Sequence, residues 1–205
     1  MKETLVGRTR WRKFAIAMVP ATAAAAVMVM GMSNGAIAAS FAVSGQQFQI
    51  SADEMVVDGF AQYGSIDKEV GADKDPSKVH VVAVAAAKSA TVKNLCQSVV
   101  TPTPIGTVTM QIHAGGAGSG PVTAENLFLD MTSLTGDAVF ENIEIGVDAS
   151  TMTKGAGAGM VGGFGQQASR ATITNVKQVA WATNAGTFRL KGMHLEVLMG
   201  NKPCF

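Results

Sequence analysis

The chain has 205 residues, of which 47% are hydrophobic and 15% are charged, and its formal net charge is +1. Five of the 16 basic residues but only one of the 15 acidic residues lie in the first 38 positions, so the rest of the chain carries a net charge of −3. A mildly acidic body without basic clusters argues against nucleic acid as a partner. The remaining 167 residues are enough for one domain with a sizeable core.

The first 38 residues have the features of an export signal. A basic start is followed by an uncharged run over residues 14–32, and then by the small-x-small pattern Ala36-Ile37-Ala38. We predict cleavage after Ala38, so that residues 39–205 form one exported domain that is secreted or anchored at the cell envelope. The uncharged run nearly reaches the roughly 20 residues that span a bilayer, and an uncleaved signal anchor is the alternative.

From Ser40 onward, apolar and polar residues mostly alternate, which is typical of β-strands. The β-branched run in Val79–Ala87 predicts a buried strand, and the charged residues 67–78 predict a solvated loop. The glycine-rich stretch 154–165 lacks the strand-to-helix context of a dinucleotide site. We predict a flexible apolar connection there, with a membrane-contacting or self-associating loop as the alternative.

Two antiparallel hairpins are predicted in the second half of the chain. The first pairs residues 127–131 with 138–147 around a turn at Thr135-Gly-Asp137. The second pairs residues 173–181 with 188–198 around Asn184-Ala-Gly186.

A short phrase recurs along the body: an apolar residue, a polar one, a pivot that is usually Asn, and then alternating apolar residues. Four of the five gaps between pivots lie within one residue of a multiple of 16, which predicts an internal repeat of about 16 residues. Asn tolerates left-handed backbone conformations, so we expect these positions to be bulges or corners, with amides lining a binding groove as the functional alternative. The pivots are Glu54, Asn94, Asn126, Asn142, Asn175 and Gly192.

Both cysteines, Cys96 and Cys204, lie in the predicted exported domain. Because that compartment permits disulfides, we predict a structural Cys96–Cys204 bond that ties the C-terminus to the strand near Asn94. A reactive thiol or a metal ligand is the alternative for either cysteine. The chain has no CxxC motif, and its histidines do not cluster with the cysteines.

Hydrolase motifs are missing from the sequence. Ser119 has glycine on both sides, which is not the Gly-x-Ser-x-Gly spacing of a nucleophile elbow. Oxygen ligands occur close together in residues 67–75, but their spacing fits no EF-hand and lysines neutralise them. We therefore predict no catalytic residue, metal or cofactor. A secreted ester hydrolase using Ser119 and one histidine is the alternative; the histidines are His80, His113 and His194.

Several segments together resemble one family: Arg10-Trp-Arg-Lys13, Ser51-Ala-Asp-Glu-Met55, Lys93-Asn-Leu-Cys96, Thr123-Ala-Glu-Asn-Leu127 and the terminal Cys204. The family is a domain of unknown function in secreted actinomycete proteins of the Streptomyces type. Its members often carry the label "cholesterol esterase", which the missing elbow does not support. A multi-span membrane protein tends to be encoded nearby, so the resemblance implies a membrane partner.

The combined prediction is an all-β, exported domain built from a repetitive antiparallel sheet that is curved, a sandwich or solenoid-like. One apolar face must be covered, either by its own packing or by lipid in an open trough. We predict a non-catalytic envelope protein, structural or lipid-associating, with a self-assembling surface protein as a further alternative. The residues expected to face lipid are Met55, Val57, Leu127, Leu129, Ile143, Ile145, Met193 and Leu195.

Overall fold

The computed structural model describes residues 43–205, and the predicted leader lies outside this range. The described chain is built from β-strands and two short 3₁₀ turns, Pro76–Lys78 and Ala149–Thr151, which confirms the all-β prediction. Its strands are β1 (Phe48–Lys68), β2 (Val79–Lys93), β3 (Leu95–Thr103), β4 (Gly106–Ala114), β5 (Val122–Glu141), β6 (Glu144–Asp148), β7 (Phe164–Asn184), β8 (Thr187–Arg189) and β9 (His194–Met199). None of its helical segments is long and apolar enough to cross a membrane.

The strands form one antiparallel sheet in the order β6-β7-β5-β2-β1-β3-β4-β9, with β8 beside β5. An additional pairing between β7 and β1 closes β1, β2, β5 and β7 into a ring. The inner face of this ring holds the main hydrophobic core, in which Phe60 and Phe140 pack with ring centroids 5.5 Å apart. Within the ring, the sheet therefore covers its own apolar face.

Along the strands, side chains alternate between facing the core and facing outward, and this inward phase shifts by one residue at several places. Along β1 the buried core residues are Ile50 and Ala52, then Met55 and Val57, then Phe60. A strict alternation would turn Met55 outward, since successive side chains of a strand point to opposite faces. The register of β1 against β2 and β7 stays constant across both breaks, so each strand places one residue at the bend and the inward phase shifts on all of them together.

The pivot residues lie at these breaks. Asn94, Asn126, Asn142 and Asn175 have φ between 50° and 55°, and they are the non-glycine residues with positive φ in the described chain. Gly192 also has positive φ, whereas Glu54 does not. The predicted left-handed corners are therefore present at every pivot except Glu54. The spacing of about 16 residues stays a sequence-level prediction.

The breaks line up across neighbouring strands in two bend lines. In the first bend line, Gly59 of β1 (φ +69°) lies opposite Lys88 of β2 and Ser169 of β7, and the Asn142 amide donates to the Ser169 hydroxyl at 3.3 Å. Asn126 lies opposite Lys88 and extends this line to β5.

In the second bend line, Asp53 of β1 lies opposite Asn175 of β7 and beside Asn94. The Asn94 N–H donates to the carbonyl of Gly115. The N–H of Gly115 in turn donates to the carbonyl of Lys191, the residue before Gly192. Each of the four Asn pivots therefore belongs to a corner that several strands share, and Gly192 adjoins one.

Neither predicted hairpin forms. Strand β5 continues through Thr135–Asp137 without a turn. Its pairing with β7 shifts in register between Thr135 and Asp137. Strand β7 ends at Asn184, but the following β8 pairs with β5 and β9 pairs with β4. Local turn signals misled here because the long strands are held by pairing with strands distant in sequence.

Residues 154–159 of the glycine-rich stretch are closely packed, contrary to the flexible connection predicted for residues 154–165. Added Cβ atoms at Gly155, Gly157 and Gly159 would lie 2.4–2.8 Å from side-chain atoms of Ala61, Phe128 and Ala149. Gln167 Oε1 accepts from the N–H groups of Thr153 and Lys154 at 2.9 and 3.0 Å. The alternating glycines thus let residues 154–159 lie flat against the outer face of the sheet.

The C-terminal residues cross the β3–β4 surface and end in the predicted bond. Thr109 Oγ1 donates to the Gly200 carbonyl at 2.7 Å, and the Cys204 N–H donates to Ser98 Oγ at 3.0 Å. The sulfur atoms of Cys96 and Cys204 lie 1.98 Å apart and close a loop across 108 positions of sequence.

Two substitutions of Asn94 should show whether its contribution to stability comes from its left-handed backbone or from its side chain. Asn94 is exposed and has φ 53°, a region that costs other L-residues about 1–2 kcal/mol. We expect Asn94→Ala to lower the free energy of unfolding by about 1 kcal/mol in urea denaturation. Asn94→Gly is the matched control and should be at least as stable as the wild type. Equal stability of the two variants would contradict the role of left-handed corners.

Removing the disulfide should cost much more than removing one corner. For a loop of this length the chain-entropy model gives about 4–5 kcal/mol. We expect the double variant Cys96→Ala/Cys204→Ala to lose stability of that order in urea denaturation. A loss under about 1 kcal/mol would contradict the chain-entropy account of this disulfide.

Candidate functional site

The interior of the ring is filled at four of the residues predicted to face lipid. These residues, Met55, Val57, Leu127 and Leu129, are only 3–6% exposed and belong to the main core. The void between them and their neighbours is about 20 Å³, space for about one water molecule. Of the two arrangements that the sequence left open, the structure therefore has a closed core at these residues.

The other four residues of that set are exposed and lie in two places. Ile143 and Ile145 lie in and next to β6, while Met193 and Leu195 lie in and next to β9. These strands are at opposite ends of the strand order. The alternation had suggested that these eight residues form one face of the sheet. The structure shows that they do not.

An exposed apolar surface lies on β4 and β9. Met110 pairs with Val197, and Ile112 with Leu195, so these side chains share a face of the sheet. Within this surface Met110 is 38% exposed, Leu195 48%, Val197 64% and Met199 61%. We call Met110, Leu195, Val197 and Met199 the apolar wing.

The apolar wing continues the face that is buried inside the ring. Leu95 pairs with Ala114 at the core end of β3 and β4, and both residues are buried. Further along the same pair of strands Val99 lies opposite Met110, where the face is no longer covered. One apolar sheet face thus passes from closed core to open surface.

The opposite face of β3 and β4 is covered by the C-terminal residues. Thr109 and Ser98 are buried there, and the Gln111 amide donates to the carbonyl of Lys202. The Lys202 N–H in turn donates to Thr109 Oγ1 at 3.0 Å. The disulfide holds this cover in place, so the wing side is the open one.

A second exposed apolar group surrounds the start of β7. Met160, Val161 and Phe164 are exposed, and Ile145 lies on neighbouring β6. The side chain of Asp148 holds this tip by accepting from the Ser150 and Gly162 N–H groups at 2.9 and 2.8 Å. The hydrogen bond that the Ser150 hydroxyl donates to Asp148 at 2.7 Å, together with those from the two N–H groups, holds the pKa of Asp148 below its usual range.

Titratable side chains gather on the outer face where β1, β2 and β5 meet. His80 Nε2 lies 2.9 Å from Glu69 Oε1, and its ring stacks on Trp181 with centroids 3.6 Å apart. Asp67 lies opposite His80 across β1 and β2, and its Oδ2 atom is buried without a hydrogen bond. We call Tyr63, Asp67, His80 and Asp130 the polar cluster.

Burial sets the acid–base properties of this cluster. It raises the pKa of Asp130 to about 6, and the negative charge of Asp67 adds to the shift. Burial also raises the pKa of Asp67, partly offset by His80, and it raises the pKa of Tyr63 together with the charge of Asp130. A carboxyl that titrates near pH 6 exchanges a proton in the neutral range, but no nucleophile hydrogen-bonds to it in the described chain.

One surface depression lies along the first bend line. It has a volume of about 330 Å³ and is lined by Asp58, Gly59, Lys88, Lys154 and Ser169. Both lysines are already engaged: Lys88 Nζ donates to the Thr153 carbonyl at 3.2 Å, and Lys154 Nζ lies 2.9 Å from Glu144 Oε1. The depression is wide open, and its charges are satisfied by the protein itself.

The candidates for ester hydrolysis are not brought together. Ser119 Oγ donates to the Gly116 carbonyl at 2.8 Å, and no histidine hydrogen-bonds to it in residues 43–205. His113 lies opposite His194, and its ring nitrogen contacts Gln111 Oε1 at 3.1 Å. Within the same residues no group of three His, Cys, Asp or Glu side chains is placed to hold a metal ion.

Sequence reasoning missed both the apolar wing as a unit and the polar cluster. The alternation in Leu195-Glu-Val-Leu-Met199 marked an apolar face, but nothing in it shows whether another layer covers that face. Asp130, one polar residue in the apolar run Leu127–Met131, was the available signal for the cluster.

Comparison with known proteins identifies the family without an activity. A family model described as "Family of unknown function (DUF6230)" matches residues 44–205. No curated protein and no solved structure matches the chain.

Neutralising Asp130 should stabilise the protein at neutral pH. Its folded-state pKa of about 6 lies above the unfolded value of about 3.9, so the folded state binds the proton more tightly. The stability that protonation supplies is complete below about pH 4 and is lost as the pH rises through about 6. Asp130→Asn should therefore melt at a higher temperature than the wild type at pH 7 and at a similar temperature at pH 3.5.

The control for this prediction is Asp73→Asn in an exposed turn, where the Asp73 carboxylate lies 3.8 Å from the Lys68 ammonium group. We expect the melting temperature of this control to follow that of the wild type at both pH values. A lower melting temperature of Asp130→Asn at pH 7 would show that the Asp130 carboxylate is stabilising in the fold.

Proposed function

Because the chain belongs to the DUF6230 family of unknown function, we propose a function from its own surface. The protein is a non-catalytic module of the cell envelope that associates with lipid through the apolar wing. The observation that carries this proposal is the exposure of Leu195, Val197 and Met199 on a sheet face that is otherwise buried.

The arrangement of the wing supports attachment to an apolar layer. Exposed apolar residues scattered singly are ordinary on protein surfaces, whereas contiguous apolar patches mark interaction sites. Here Met110 and Val197 are directly opposite each other, and Met199 adjoins Val108 on the same face. This face is presented by a sheet whose other side is fixed by the disulfide, so it can meet a lipid surface without rearrangement.

Charge indicates how the contact is made. The chain after residue 38 has a net charge of −3, and the wing itself consists of apolar side chains. Attraction to anionic headgroups would need clustered lysine or arginine. The association therefore depends on burial of apolar side chains and should change little with salt. A membrane protein with an apolar surface is the second candidate for the same wing.

Vesicle flotation tests the proposal. The chain, expressed with its own N-terminal segment and purified in the form that accumulates, should float with neutral phosphatidylcholine vesicles. We expect Met110→Gln/Met199→Gln to weaken this partitioning about tenfold, since the two exposed thioethers contribute about 1–2 kcal/mol on burial.

Met160→Gln is the matched control, because Met160 is exposed but lies away from β4 and β9. It should float like the wild type. Undiminished flotation of the double variant, or no flotation of the wild type, would contradict lipid association through the wing. If only the Met160 variant is impaired, the tip before β7 is the contact instead.

A further inference from the structure

The free edge of β9 has backbone groups available for pairing. Strand β9 is the last strand of the sheet, and in the described chain it pairs only with β4. The Gly200 N–H donates to the Thr107 carbonyl at 2.7 Å, which sets the hydrogen-bonding phase of the two strands. Antiparallel strands alternate bonded and non-bonded pairs, so Leu195, Val197 and Met199 direct their backbone N–H and C=O groups away from β4.

We propose that this edge pairs with the β9 edge of a second copy of the chain, antiparallel and centred on Val197. In this register Val197 lies opposite Val197 of the second copy, and Leu195 lies opposite its Met199. The three pairs supply about six backbone hydrogen bonds, because each bonded pair exchanges two. The interface is isologous and closes as a twofold dimer.

Repulsion between acidic side chains favours this register over the one centred on Glu196. Centring the pair on Glu196 would place two glutamates directly opposite each other at the closer, non-bonded spacing, which is unfavourable. With Val197 at the centre, Glu196 faces Leu198 of the second copy. Centring on Leu195 would require residues beyond the start of β9, where the chain turns at Gly192 with φ +64°.

The other edges of the sheet are poorer partners. Strand β6, at the opposite end of the strand order, is interrupted by a register shift between Ile145 and Val147 and carries Glu144 and Asp148. Such bulges and charges are the devices that keep sheet edges from pairing. The six residues of β9 run without a bulge, include no proline or lysine, and carry one acidic residue, Glu196.

The dimer does not depend on lipid, but it changes what the wing can do. Pairing at Val197 joins two wings into one continuous apolar face, which doubles the surface offered to a membrane. A contact along six residues is smaller than a standard interface, so association in solution should be weak and visible only at high concentration.

Sedimentation velocity without vesicles tests the dimer over a series of protein concentrations. The wild type should shift from monomer to dimer as concentration rises. Val197→Pro removes an outward N–H and spares the ladder to β4, so it should weaken association about tenfold. Val197→Thr keeps that N–H and should associate like the wild type. A wild type that stays monomeric at the highest attainable concentration would overturn the proposal.

Cysteine cross-linking tests the register and does not depend on how well the proline variant folds. Val197→Cys should form a covalent dimer on mild oxidation, because paired strands bring these positions to about 5.5 Å between Cα atoms. Glu196→Cys, the matched control, should cross-link at least tenfold more slowly. The reverse result would overturn the Val197 register, and cross-linking of neither variant would overturn the β9 pairing. Because no lipid is present, these results are separate from those of the flotation test.

Discussion

The fold depends on a few residues that accept a left-handed backbone. Long strands that simply alternated would turn their apolar residues outward after each bend, and the ring of β1, β2, β5 and β7 would lose its core. At the two bend lines Asn94, Asn126, Asn142, Asn175 and Gly59 have positive φ and restore the inward phase. Other L-residues pay for this conformation, which is why Asn and Gly occupy these positions.

Much of the local structure could be predicted from the sequence. Alternation predicted strands, and the recurring asparagines predicted corners, because both depend on properties of neighbouring residues. The Cys96–Cys204 pair followed from the predicted exported compartment and the lack of other cysteines. Closure of the ring by β1 and β7 could not be predicted, since it joins residues more than 100 positions apart.

The failures share a physical cause. Thr135-Gly-Asp137 resembles a turn, but pairing with β7 keeps β5 extended through it. The glycines of residues 154–159 suggested flexibility, whereas their missing side chains allow close packing on Ala61 and Phe128. For the candidate site, alternation identified Leu195 and Leu127 equally, yet one is on the surface and the other in the core. Coverage by another layer is decided by tertiary structure, which a single sequence does not display.

Methionine oxidation in the presence and absence of neutral vesicles tests most directly that the apolar wing is the lipid contact. The described chain contains wing methionines, the exposed Met160 away from the wing, and the buried Met55 and Met131, so one mass-spectrometric experiment includes its own controls. We expect vesicles to slow oxidation of Met110 and Met199 several-fold and to leave Met160 unchanged. Equal rates at Met110 and Met199 with and without vesicles would contradict lipid association through the wing.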